Sequence, residues 1–204
     1  MEKRRLRSLL VEILNTESQA NITSIMRFVF MYFFFGDESK IDSIFSLALY
    51  GVKQENVEKI ESLVLDFIKI NSLPKNYEFR YHSDSSLINQ KFRSFIIEKL
   101  IQTRYIDCIY FAQVNNANEP FSHINTLEIL IPLIAELLNG IDVRFILDNL
   151  GGKTTEAKLK TELNRLCKKY NINLKKSLVF NQSNKSHHLM IADYIVALKR
   201  KNIL

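Results

Sequence analysis

Hydrophobic positions change their spacing twice within the first 70 residues. Between Glu2 and Asn15 they fall at Leu6, Leu9, Leu10, Ile13 and Leu14, the three-and-four spacing of an amphipathic helix on a basic background. Around Met26 to Phe35 the pattern becomes an almost unbroken run, "MRFVFMYFFF", followed by "GDESK" and "IDSIFSLALYG". Two runs rich in aromatic and β-branched residues, separated by a short polar stretch, predict an antiparallel hairpin with its turn at "GDESK". From Gln54 the helical spacing returns at Val57, Ile60, Leu63, Val64, Phe67 and Ile68, with Asn71, Ser72 and Pro74 as stop signals.

The rest of the chain alternates. "YEFRYHS" reads as a short extended piece, Ser86 to Thr103 as a helix, and "YIDCIYFAQV" as a strand. After the Asn-rich loop "NNANEP" a helix is expected over Ser122 to Asn139, with Pro132 able to kink it and Gly140 ending it. "IDVRFILD" is a strand, "NLGGK" its exit loop, Thr154 to Tyr170 an amphipathic helix, "LKKSLVF" a strand and "SHHLMIADYIVALKR" a final helix. Two opening strands followed by alternating helices and strands predict an α/β domain, a mixed β-sheet with helices on both faces. The expected organisation is a basic helical appendage over 1–25 and one α/β domain over 26–204.

Composition narrows the classes. A chain of 204 residues with 47% hydrophobic and 25% charged residues has the make-up of an ordinary globular domain. The apolar run before "GDES" is interrupted by Arg27 and lasts about a dozen residues, short of the roughly 20 that a membrane span requires. No small-residue cleavage site follows the first apolar stripe, and the two cysteines, Cys108 and Cys167, form no CxxC pair. The expectation is a soluble, cytoplasmic protein without a membrane partner. The net charge of +6 is compatible with a polyanionic partner such as DNA or RNA.

Three carboxylates stand out against this background. Asp193 lies in "LMIADYIVAL" with Leu189 and Ala197 four residues to either side, so it shares a helix face with apolar neighbours. An aspartate in such a place is expected to be paired or to hold a cation. Asp37 and Asp148 each follow an apolar strand run, "YFFFG" and "VRFIL". Alone, either is a common turn or cap residue. Brought together with Asp193, they would repel by several kcal/mol at an effective dielectric of about 20 unless protonated or bridged by a cation. All-oxygen ligands select Mg²⁺ or Mn²⁺, and two such ions roughly 3.5 to 4 Å apart serve phosphodiester hydrolysis.

The order of "FFFGDES", "YEFRYHS", "FILD" and "SNKSHHLMIADYIVALKR" resembles the bacterial family catalogued as domain of unknown function 3800, over about Met31 to Arg200. That resemblance implies a ribonuclease H-like fold and a metal-dependent nuclease. It implies metal-ligand roles for Asp37, Asp148 and Asp193, with Glu38 and Glu78 as auxiliary catalytic residues. Two positions depart from the family pattern: Lys40 stands where a glycine is usual, and Met190 replaces a glutamine. Those departures keep a second reading open, a catalytically inactive nucleic-acid-binding or protein-interaction module that retains the fold.

Weaker signals surround this core. "LGGKTT" lies between a strand and a helix but has Leu147 where a Walker loop needs glycine, so only Lys153 and the helix start are candidates for holding a phosphate. Arg80, near Glu78, is a second phosphate candidate and His188 a third. His187 and His188 point about 100° apart on a helix and do not suit one metal, though either could shuttle a proton. His82 and Ser83 lack the nucleophile elbow of a hydrolase triad. "KLKTELNRLCKK" and "ALKRKN" supply basic helical faces.

Overall fold

The computed structural model describes residues 31–115, 121–138, 141–149, 152–176, 178–182 and 186–204. The basic appendage over 1–25, the start of the first apolar run, and the expected helix end at Asn139 and Gly140 lie outside the described residues.

The sheet is built around β1 (Met31–Ile41), which pairs antiparallel with β2 (Ile44–Lys53) and parallel with β4 (Asp142–Asp148). β3 (Cys108–Asn115) adds antiparallel to the far side of β2. Two short pieces, β5 (Asn173–Leu174) and β6 (Val179–Asn181), both pair parallel with β4. The order is β3, β2, β1, β4, β5, a mixed sheet. The helices are α1 (Gln54–Ile70), α2 (Ser86–Ser94), α3 (Phe121–Leu137), α4 (Lys153–Lys169) and α5 (His187–Arg200). A π-helical segment, Phe95–Ile101, continues α2, and Gln102 donates its amide to the Ile97 carbonyl at 2.9 Å.

Because side chains alternate along a strand, β1 feeds two cores. Tyr32 and Phe34 face the core made with Phe145, Leu147 and the apolar stripes of α3 and α4. Phe33 and Phe35 face the other, closed by Ile60 and Val64 of α1, Phe92 of α2 and Met190 to Val196 of α5. Helices therefore cover both faces of the sheet. α5 is buried along most of its length, which explains its apolar content.

Three expectations are corrected here. "GDESK" is not the turn: β1 continues through it, with Glu38 opposite Leu47 and Ile41 opposite Ile44. The turn is Asp42–Ser43, where Asp42 takes a left-handed backbone (φ 52°) that aspartate tolerates better than most residues. "LKKSLVF" is not one strand but contributes to the two short pieces β5 and β6. "YEFRYHS" joins no ladder and is not extended throughout, because Tyr81 to Ser83 form a turn.

Gly36 is where the central strand is squeezed between its neighbours. A Cβ there would meet Leu49 Cδ2 at 2.4 Å, Leu147 Cδ2 at 2.6 Å and the Ala48 carbonyl oxygen at 2.9 Å. Side-chain rotation can relieve the first two contacts, but the third is backbone. Gly36→Ala is expected to cost about 1 to 3 kcal/mol, the usual scale of overpacking, read as a lower urea midpoint at unchanged slope. A midpoint equal to the parent's would refute this packing.

Candidate functional site

Asp37 lies two positions beyond Phe35 and so faces the same side of the sheet as α5. β1 and β4 are in register up to Gly36 opposite Leu147, so the next step sets Asp37 beside Asp148 at the end of β4. The β1–β2 hairpin runs on past that point while β4 stops. Asp193 reaches the same place from α5. The three carboxylates line one cavity of about 370 Å³, with Met190, 3% exposed, as an apolar part of its wall.

A loop supplies the opposite wall. Residues 77 to 80 carry no regular secondary structure and Tyr81 to Ser83 form a turn, closed by the Ser83 and Asp84 amides donating to the Arg80 carbonyl at 3.2 and 2.9 Å. Phe79 is buried and stacks on Phe92 with ring centroids 3.8 Å apart. Asp84 clasps the loop from behind: it accepts from the Tyr77 hydroxyl at 2.7 Å, from the Arg80 amide at 3.1 Å and from the Tyr194 hydroxyl. The Tyr81 amide donates to Asp193 Oδ2 at 2.9 Å, tying loop to helix. Glu78, Arg80, His82 and Ser83 thereby border the cavity, and Arg80 and Glu78 form an ion pair at 2.7 Å.

The electrostatics follow from this crowding. Burial raises the Asp37 pKa well above the ordinary carboxylate value, and the negative charges of Glu38, Asp193 and Asp148 raise it further. A hydrogen bond from the Glu38 amide at 2.8 Å acts in the opposite direction. Burial also raises Asp193, opposed by the Tyr81 amide and by the charges of His82 and Arg80. Arg80 is held still more firmly protonated by its hydrogen bond to Glu78, with Asp193 and Asp148 adding to the effect.

Several sequence candidates lie elsewhere. Glu38, one position along the strand from Asp37, points to the opposite face, where its Oε2 is 3.6 Å from Nε2 of His123. His123 is fully buried, its ring stands edge-on to Phe45, and neither ring nitrogen has a hydrogen-bond partner among the described residues. Lys153, exposed at the first position of α4, does not line the cavity. His188 is buried rather than exposed, so it offers nothing to a phosphate. Its ring stacks on Phe35 at 4.1 Å, Nδ1 meets the Tyr50 hydroxyl at 2.9 Å and Nε2 the Val57 carbonyl at 3.0 Å. Burial lowers its pKa to about 4, so it is neutral at pH 7. His187 turns instead to Glu61 at 2.6 Å.

The structure thus brings together Asp37, Asp148, Asp193, Glu78 and Arg80, and separates Glu38, Lys153 and His188 from them. It adds His82 and Ser83, which the sequence presented only as a poor hydrolase pair. A larger cavity of about 700 Å³ between α1 and α2 is lined largely by apolar groups such as Leu63, Phe67 and Phe95, and lacks a converging carboxylate set.

The donor chemistry suits a hard divalent cation, since aspartate oxygens in a half-buried, mutually repelling set are stabilised by one. Among the described residues, no group of three or more His, Cys, Asp or Glu side chains is drawn close enough to hold a metal ion as it stands. Comparison with protein-family models and with curated proteins found no match.

The raised Asp37 pKa carries a stability consequence with a definite sign. Its neutral form is the one the metal-free fold favours, so the stabilisation it gives is complete below the unfolded value near 3.8 and is lost as pH rises through the higher folded value. Asp37→Asn should therefore stabilise the chelated protein at pH 8 by about 1 to 3 kcal/mol, a fraction of the Coulomb scale for close charges, and the gain should shrink toward pH 4. Melting curves of the two proteins across that range check it; a mutant less stable at pH 8 would contradict the repulsion.

Proposed function

We propose that this protein is a Mg²⁺- or Mn²⁺-dependent phosphodiesterase acting on DNA or RNA, with a ribonuclease H-like arrangement of its mixed sheet. The observation that carries the reading is the meeting of Asp37, Asp148 and Asp193, from two adjacent strands and a helix, in one cavity where burial and mutual repulsion favour neutralisation of Asp37. The resemblance noted in the sequence agrees with it, as do the helices on both faces of the sheet.

Asp37, Asp148 and Asp193 are the residues that would hold the metal. When bound, a divalent cation supplies a water of lowered pKa and offsets charge on the phosphodiester oxygens. The chain's own groups do the rest. The Tyr81 amide fixes one oxygen of Asp193, setting the direction of the other. Arg80, oriented by Glu78, is exposed at the cavity rim, where its guanidinium can contact a non-bridging phosphate oxygen. His82 borders the same space and is placed to hand a proton to a leaving oxygen. Met190 and Phe79 form an apolar wall that limits water.

The second reading, a binding module without catalysis, is favoured by one observation: the carboxylates share a cavity with apolar Met190 but, among the described residues, are not drawn close enough to hold a metal ion as they stand. Incubation of labelled single-stranded, duplex, hybrid and branched substrates with Mg²⁺ or Mn²⁺ separates the two. The enzyme reading expects cleavage that chelation abolishes and that Asp193→Asn reduces by about 100-fold or more, the loss of roughly 3 kcal/mol of transition-state stabilisation. Absence of product with either metal on every substrate would leave the binding module.

A further inference from the structure

A second cavity, of about 480 Å³, adjoins the first: His82 lines both. Their charges are opposite. Four carboxylates and one arginine surround the first, whereas the second contains no carboxylate and is lined by Arg93 and Lys201 beside Tyr81 and Asn89. Among the described residues neither cation has a carboxylate partner, and Lys201 instead lies over the Tyr81 ring, its Nζ 4.7 Å from the centroid. Tyr81 also donates its amide to Asp193, so one residue fixes the boundary between the acidic and the basic space.

We propose that this second cavity binds the phosphate backbone of a single nucleic-acid strand whose neighbouring phosphodiester lies at the aspartates. The proposal rests on the reading of the aspartate cavity as a nucleic-acid site and adds which residues carry the flanking strand. Two cations without carboxylate partners among the described residues, beside an acidic cavity, attract a ligand that is anionic at regular intervals, which a polynucleotide is and a mononucleotide is not. The exposed His82 ring at the join provides a surface for an unpaired base, favouring a single strand over a duplex. Arg93, on the α2 side, and Lys201, just past the end of α5, approach from different elements, so the strand would run between them. Asn89 is less available to it, because its amide nitrogen is committed to the carbonyls of Tyr81 and Asp84, both at 3.0 Å.

The test uses fluorescence anisotropy with a labelled single-stranded DNA oligonucleotide in EDTA, where cleavage plays no part. Arg93→Gln/Lys201→Gln should weaken binding about tenfold and reduce the slope of log affinity against log salt by about 1.4, two phosphate contacts at roughly 0.7 each for a single strand. Lys69→Gln/Lys99→Gln, two exposed lysines that line neither of the adjoining cavities, is the matched control and should leave the slope unchanged. Circular dichroism of each protein across the same salt series gives its folded fraction, so partial unfolding of a variant is not mistaken for a lost phosphate contact. A mononucleotide at equal ionic strength should compete poorly, and a duplex should bind less tightly. Three results would overturn the subsite: no binding by the parent, a parent-like slope in the Arg93/Lys201 variant, or an equal loss in the control pair. A binding pattern as expected, with no metal-dependent cleavage, would support the subsite while removing the enzymatic reading.

Discussion

Alternation of side chains along β1 is the constraint from which both halves of the structure hang. Phe33, Phe35 and Asp37 go to one face; Tyr32, Phe34, the bare Gly36 and Glu38 go to the other. The first set anchors α5 and α1, the second α3 and α4. A slip of one residue would exchange the two sets, moving Asp37 into the neighbourhood of His123 and Glu38 into that of Asp193. Gly36 limits such slippage, because the close approach of Leu49, Leu147 and the Ala48 carbonyl suits only a residue without a side chain. The position of a carboxylate is therefore set by the packing of aromatic rings several residues earlier.

The cost of that placement is electrostatic. Asp37 is 9% exposed and has other carboxylates around it, an arrangement that a fold tolerates only when neighbours supply something in return. Part of the compensation is local: the Glu38 amide for Asp37, the Asn149 amide for Asp148 and the Tyr81 amide for Asp193. The Asp84 clasp matters for the same reason, since it holds the loop that delivers the Tyr81 amide. Satisfied buried groups of this kind rigidify a site. Protonation or a cation is left to settle the remaining charge.

Period carried most of the architecture. The helix over Gln54–Ile70 was legible because Ile60, Val64, Phe67 and Ile68 repeat at helical spacing, and the opening hairpin because two aromatic-rich runs are joined by few residues. Its turn was not, since "GDES" looks like a turn in composition yet is a paired strand in which Asp37 faces a cavity and Glu38 a buried histidine. Strand alternation, carried through Glu38, would have separated it from Asp37. His188 was misjudged because a histidine near a helix start usually faces water, whereas this helix is covered along most of its length. His123 was missed altogether; its helical spacing to Leu127 and Leu130 was the available signal for burial. β5 and β6 were merged because a polar break in a short apolar run carries no clear period.

The central claim is that Asp37, Asp148 and Asp193 act as one cation-binding unit. A Mn²⁺ titration followed by thermal unfolding tests it most directly, because a ligand that binds only the folded state raises the melting temperature in proportion to RT ln(1 + [L]/Kd). The account predicts a rising melting temperature for the parent protein and a response reduced by at least about tenfold in apparent affinity, roughly 1.4 kcal/mol, for Asp148→Asn and Asp193→Asn separately. A parent protein that does not respond, or single variants that respond as the parent does, would contradict it.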